Sequence, residues 1–159
     1  MKNSRTEKGN ILLVGIGNSG RRDDGLGWKF TDMARQWSDK GIDCEFRYQL
    51  QVEDVLLVCR YDKVVFADAS HTAIEEGFEI KPIQPARHYF FSSHMQSPET
   101  ILYLAKELYS KTPEAYTLAI SGQNWGLGTV LSMTAQENLK KALNFFKSGF
   151  IFQNKESAV

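Results

Sequence analysis

The run Ile11-Leu12-Leu13-Val14-Gly15-Ile16-Gly17-Asn18-Ser19-Gly20 carries a short apolar strand straight into a glycine-rich turn. Arg21-Arg22-Asp23-Asp24-Gly25-Leu26-Gly27 follows, two adjacent carboxylates set just before a helix-forming segment. Glycines let the backbone turn sharply and expose its N–H groups, and a strand-to-helix crossover built that way ordinarily draws an anion. Asp23 and Asp24 put negative charge in that place instead. A phosphate-binding loop would avoid that charge, whereas a cation-binding loop would use it.

The rest of the chain keeps alternating strand and helix patterns. Strands are expected at 10–15, 43–50, 63–69, 77–83 and 115–121. Val64-Val65-Phe66-Ala67 is continuously apolar, the mark of a strand covered on both faces. Residues 43–50 alternate polar and apolar, as a half-exposed strand does. Leu26, Phe30, Met33, Ala34 and Trp37 recur at helical spacing over 25–37. A second helix at 52–61 carries Val55, Leu56 and Cys59 on one side, with Glu53 and Asp54 near the end where the helix dipole favours acids. A third covers 98–109, with Ser97 as N-cap and Pro98 in its first position, and a last one covers 134–146. Pro82 and Pro85 end the 77–83 strand.

This alternation implies a mostly parallel sheet with helices on both faces. The 159 residues suit a single domain, with 1–9 and 153–159 as tails. In such sheets functional groups gather at the carboxyl ends of strands, near a change of strand order. Asp23 and Asp24 follow the first strand, Asp68 ends the third, and His94 precedes the 98–109 helix, so all can converge on one edge.

Nineteen basic and nineteen acidic residues cancel, which gives no electrostatic reason to expect nucleic acid. No apolar run reaches signal-peptide or transmembrane length, so no membrane association is expected. Cys44 and Cys59 stand in no metal or redox spacing and read as two buried, reduced thiols of a cytoplasmic protein.

Gly15-Ile16-Gly17-Asn18-Ser19-Gly20 also fits the dinucleotide pattern G-x-G-x-x-G. A nucleotide site opens its helix within that motif and places an acidic residue at the end of the second strand. Here the polar run 21–25 intervenes, Asp24 would turn a carboxylate toward the anion, and Tyr48-Gln49-Leu50 stands where the acid should be. Nucleotide binding is the weaker reading.

Taken together, Gly15-Ile16-Gly17-Asn18 with Asp23-Asp24-Gly25-Leu26-Gly27, then Phe66-Ala67-Asp68-Ala69, then His94 ahead of Ser97-Pro98-Glu99-Thr100, resemble the hydrogenase maturation proteases. These endopeptidases trim the C-terminal extension from the large subunit of nickel–iron hydrogenases. The resemblance runs in matching order from about residue 11 to residue 132. It implies a three-layer α/β/α sandwich with a mostly parallel twisted sheet, of phosphorylase/hydrolase-like type. It also implies a metal-contacting and catalytic trio, which falls on Asp24, Asp68 and His94. The metal is then the nickel of the large-subunit precursor, sensed before cleavage. Two carboxylates and an imidazole suit such an ion, and no H-E-x-x-H helix occurs. A metal-polarised carbonyl or water, or a carboxylate acting as general base, would serve the cut.

Each residue has a plainer role open to it. Asp24 could cap the first helix, Asp68 could hold a loop through backbone N–H groups, and His94 could be a hydrogen-bonded loop residue. His71 is the nearest rival ligand, and His88 reads as a surface residue. Asn18 either orients the turn or touches substrate. Trp28, Phe30 and Trp37 read as core, with an exposed Trp28 suited to a protein interface. Arg21 and Arg22 are either guides for an acidic tail or solvated loop charges.

Two segments depart from the family. Ser121-Gly122-Gln123-Asn124-Trp125-Gly126-Leu127-Gly128-Thr129 lies where relatives carry an aromatic–acidic loop, and Gly126 and Thr129 fall at the acidic positions. Gln49-Leu50-Gln51-Val52-Glu53 lacks a threonine–glycine turn. The altered loop keeps open a non-catalytic assembly partner that recognises the nickel-bearing subunit.

Overall fold

The computed structural model describes residues 10–87 and 96–152, so His88 and His94 lie outside the described residues. Among the described residues five strands form the sheet: β1 (Ile11–Ile16), β2 (Ile42–Arg47), β3 (Lys63–Ser70), β4 (Phe78–Ile83) and β5 (Glu114–Ser121). Four α-helices accompany them there: α1 (Leu26–Ala34), α2 (Asp54–Val58), α3 (Pro98–Tyr109) and α4 (Met133–Phe146). Strand order is β2-β1-β3-β5-β4, parallel except for β4, which runs antiparallel to β5.

Because successive strand residues point to opposite faces, the apolar runs of β1 and β3 feed two cores. Leu12, Val14, Val64 and Phe66 pack with Val55 and Val58 of α2 and with Ile101, Leu102 and Ala105 of α3. Ile11, Leu13, Val65 and Ala67 pack on the other face with Leu26 and Phe30 of α1 and with Leu139, Ala142 and Phe146 of α4. One sheet between two helical layers is the expected sandwich. No described helix is long and apolar enough to cross a membrane.

Several boundaries differ from the expectation. The 25–37 helix is α1 followed by a 3-10 segment, Arg35–Lys40, in which Trp37 leaves helical geometry (φ −105°, ψ 21°) while staying in the core. Strand β2 stops at Arg47, whose guanidinium donates to Asp54 (2.9 Å) and Glu45 (3.1 Å), while Leu50 forms a bridge with Gln96. The 52–61 helix shrinks to α2. The Asp54 carboxylate accepts the Gln51 N–H (3.0 Å) and starts the helix late, and Arg60 and Tyr61 close it with tighter turns onto Leu57 and Val58. Pro82 lies inside β4 instead of ending it, opposite Tyr116, a position an edge strand tolerates. Cys44 and Cys59 are free but half-buried, and burial pushes the Cys44 thiol up to about 11. Helix α3 begins as expected, with Ser97 Oγ accepting the Thr100 N–H (3.1 Å).

Candidate active site

Strand β1 sends the chain outward to β2 on one side, and β3 sends it to β4 and β5 on the other. The carboxyl ends of β1 and β3 therefore flank the point where strand order switches, the place such sheets bind ligands. Gly15 pairs with Ala67, so the glycine turn leaves β1 beside Asp68, which does not end β3 as expected but stays within it, opposite Ala119, two residues before Ser70 closes the strand. Gly17 takes φ +138°, and a side chain there would overlap the Asp24 carbonyl and come within 3.9 Å of Asp68 Oδ1. Only glycine lets the turn close this tightly.

The turn uses its own N–H groups. Gly17 N–H donates to the Arg47 carbonyl (3.0 Å), and Asn18 N–H donates to the Asp24 carboxylate (3.0 Å). Gly20 N–H donates to Asn18 Oδ1 (2.8 Å), and Arg21 N–H to the Asn18 carbonyl (3.1 Å). Asn18 therefore orients the turn through its side chain. Donors engaged in this way cannot also cradle a phosphate, which weighs against the nucleotide reading. Asp24 does not cap α1, since that helix opens on Gly25 without a side-chain cap and the Asp24 carboxylate reaches back to Asn18.

Asp24 and Asp68 line one cleft of about 720 Å³, together with Tyr48, Gln49, His71, Gln96 and Ser97. Asp68 stays open to solvent through the cleft mouth, yet the surrounding protein still desolvates it. That burial pushes its carboxyl up, the Ala69 N–H (2.8 Å) pulls it partly back, and the Asp24 charge adds to the rise, to about 7. A carboxyl poised near neutrality beside a second carboxylate can exchange a proton or share a cation. Asp68 does bond its neighbouring backbone, so part of its plainer role is present as well. Among the described residues no three His, Cys, Asp or Glu side chains gather closely enough to hold a metal. His71 lines the same cleft without joining Asp24 and Asp68 in such a set. Its ring stacks on Trp125, with centroids 3.6 Å apart and planes 16° from parallel.

Asp23, the other half of the acidic pair, has a quite different environment. It is 0% exposed. Its carboxylate accepts the N–H groups of Gln123 (2.7 Å), Asn124 (2.9 Å) and Ser132 (2.8 Å), and the Ser132 hydroxyl (2.6 Å). Burial alone would raise its pKa, but these bonds, led by that of the Ser132 hydroxyl, hold it below the usual carboxylate value. More bonds zip the glycine turn to the 122–132 loop: Asp23 N–H to the Asn124 carbonyl (2.9 Å), Gly128 N–H to Gly20 (2.9 Å) and Arg22 N–H to Gly128 (2.8 Å). Arg22, at φ 50°, also donates from Nε to the Val130 carbonyl (2.9 Å), so it is a structural residue instead of a solvated charge, whereas Arg21 is exposed. Thr129 lines a separate hollow beside Trp28, and neither it nor Gly126 lines the Asp24–Asp68 cleft. Sequence reasoning missed the Asp23 anchor, because its partners lie about a hundred residues away. Phe30 and Trp37 are core, while half-buried Trp28 donates to the Arg47 carbonyl (2.9 Å) and packs on Phe46 and Tyr48.

The fold and the site together define a three-layer α/β protein whose cleft opens at the carboxyl ends of its two central strands. No family profile and no curated protein matches the sequence. Among solved structures the chain is similar to the hydrogenase maturating endopeptidase HybD from E. coli, at 15% identity and TM-score 0.63, over 88% of this chain and 94% of that one. It is also similar to the NiFe hydrogenase maturation protease HycI from Thermococcus kodakarensis, at 20% identity and TM-score 0.64, over 89% and 92%. A hydrogenase 2 maturation peptidase from a Thaumarchaeota archaeon matches at 17% identity and TM-score 0.61, over 87% and 96%. The fold of this chain is that of the hydrogenase maturation proteases.

Proposed function

We propose that the chain is an endopeptidase that removes the C-terminal extension from a nickel-loaded hydrogenase large-subunit precursor. The observation that carries this reading is the Asp24–Asp68 pair, two carboxylates at the switch-point cleft of that fold. In this reading Asp24 and Asp68 offer oxygen donors to the nickel of the precursor, and His94 offers a nitrogen. Nickel is cargo of the substrate, not a resident cofactor. Asp68, with proton affinity near neutrality, suits the acceptance of a proton from an attacking water and its return to the leaving amine. The partner is a protein, with no nucleic acid and no membrane, and the work is cytoplasmic.

The altered positions Gly126 and Thr129 favour one other reading, an assembly partner that binds the nickel-bearing subunit without cutting it. Neither residue lines the cleft, which supports cutting. Incubating nickel-loaded precursor with the protein and weighing it by mass spectrometry separates the two. A shortened precursor is expected. A full-length precursor still held in complex would favour the assembly partner.

A further inference from the structure

We propose that His71 is a substrate-binding residue of the cleft, hydrogen-bonding the precursor polypeptide through its ring nitrogens, with Trp125 and Asp23 as the positioning residues that hold it there. The proposal rests on the endopeptidase reading. His71 stands three residues past Asp68, just beyond the end of β3, and lines the same cleft. Among the described residues its ring meets Trp125, and no hydrogen bond engages its nitrogens. An imidazole always carries donor or acceptor capacity at both nitrogens, so a ring clamped by one face keeps a polar edge for something else. Clamping also removes much of the ordering cost that a free histidine would meet on binding.

The clamp is built from the buried acid outward. Asp23 accepts the N–H groups of Gln123 and Asn124, the two residues immediately before Trp125. The indole then lies over Gly122, where a Cβ would stand 2.8 Å from Trp125 Cη2 and 2.7 Å from Asp23 Cβ. No larger residue fits between the acid and the ring. A contiguous chain thus runs from Asp23 through the 122–124 turn and Trp125 to His71. Asp24, the next residue after Asp23, lines the same cleft as His71, so one anchor serves both walls.

Steady-state cleavage of nickel-loaded precursor, run beside cadmium titration of the free protein, tests this. His71→Ala is expected to raise KM about five- to tenfold, the effect of one lost hydrogen bond, with kcat within about twofold. His71→Phe keeps a ring for the stack but loses the nitrogens, and should match His71→Ala. Trp125→Ala should raise KM equally, Trp125→Phe should stay near the parent, and the Trp125→Ala, His71→Ala double variant should be no worse than His71→Ala alone. Asp23→Asn should raise KM in the same way, and if it does not fold, Trp125→Ala carries the positioning test. Cadmium affinity should be unchanged throughout. An unchanged KM in His71→Ala, parental behaviour of His71→Phe, additive effects in the double variant, or lost cadmium affinity in His71→Ala would each overturn the proposal. If the parent leaves the precursor uncut, the endopeptidase reading fails on its own. Precursor affinity then replaces KM: a fivefold weaker His71→Ala complex upholds the contact, and equal affinity refutes it.

Discussion

Asp23 accepts both the hydroxyl (2.6 Å) and the N–H (2.8 Å) of Ser132, a residue 109 positions away, and Ser132 Oγ also caps α4 through the Ala135 N–H (3.2 Å). One buried anion thereby ties the glycine turn, the 122–132 loop and the last helix together. Asp23→Ala would leave four part-buried donors without their acceptor and should cost about 1–3 kcal/mol of stability. Ser132→Ala removes the hydroxyl bond and the cap and should cost about 1–2 kcal/mol. Urea unfolding checks both, and parental stability in Asp23→Ala would contradict the anchor.

The same acid sets an acid-limb dependence. Its folded pKa is depressed, so its stabilisation is fully present above the unfolded value of about 3.9 and is lost as pH falls through the folded value. The stability advantage of the parent over Asp23→Asn should therefore be constant above about pH 5 and shrink below about pH 4. Melting temperatures across this range test it. An advantage that persists undiminished at the acid end would speak against an ionised Asp23.

Asp68 has the opposite sign. Its folded pKa of about 7 lies above the unfolded value, so the folded state binds more protons between the two and loses stability as pH rises through that window. Asp68→Asn should match the parent near pH 4 and melt a few degrees higher at pH 8. A variant that is less stable than the parent at pH 8 would mean that the charged form is favoured in the cleft.

Gly17→Ala places a Cβ against the Asp24 carbonyl at a φ of +138°. The strain should cost about 2 kcal/mol or more and pull the Asn18–Asp24 contact apart. Denaturation gives the stability loss, and precursor cleavage should fall with it. A silent substitution would show that the turn is not closed as described.

Much of this architecture could be read from local pattern. The runs Ile11–Val14 and Val64–Ala67 announce strands buried on both faces, and Ser97-Pro98 announces the start of α3, because burial and capping act over a few residues. The shortened α2 and β2 could not be read that way. Arg47 bonds Asp54 across seven positions, and Leu50 bridges to Gln96, so tertiary contacts override the local period. The site shows the same division. Asp24 stands out by its place after β1, and Asp68 by its place near the carboxyl end of β3. Adjacent letters hid the difference between Asp23 and Asp24, since only the 122–132 loop folding back makes one a buried anchor and leaves the other on the cleft. The stacking of His71 on Trp125 is equally a product of that return, and it turns a rival ligand into a wall of the cleft.

The most direct test of the site is where a metal goes. A crystal soaked in cadmium or nickel should show an anomalous peak between the Asp24 and Asp68 carboxylates, with His94 completing the site, and none in crystals of Asp24→Ala. A peak on His71 instead, or one that survives in Asp24→Ala, would contradict it.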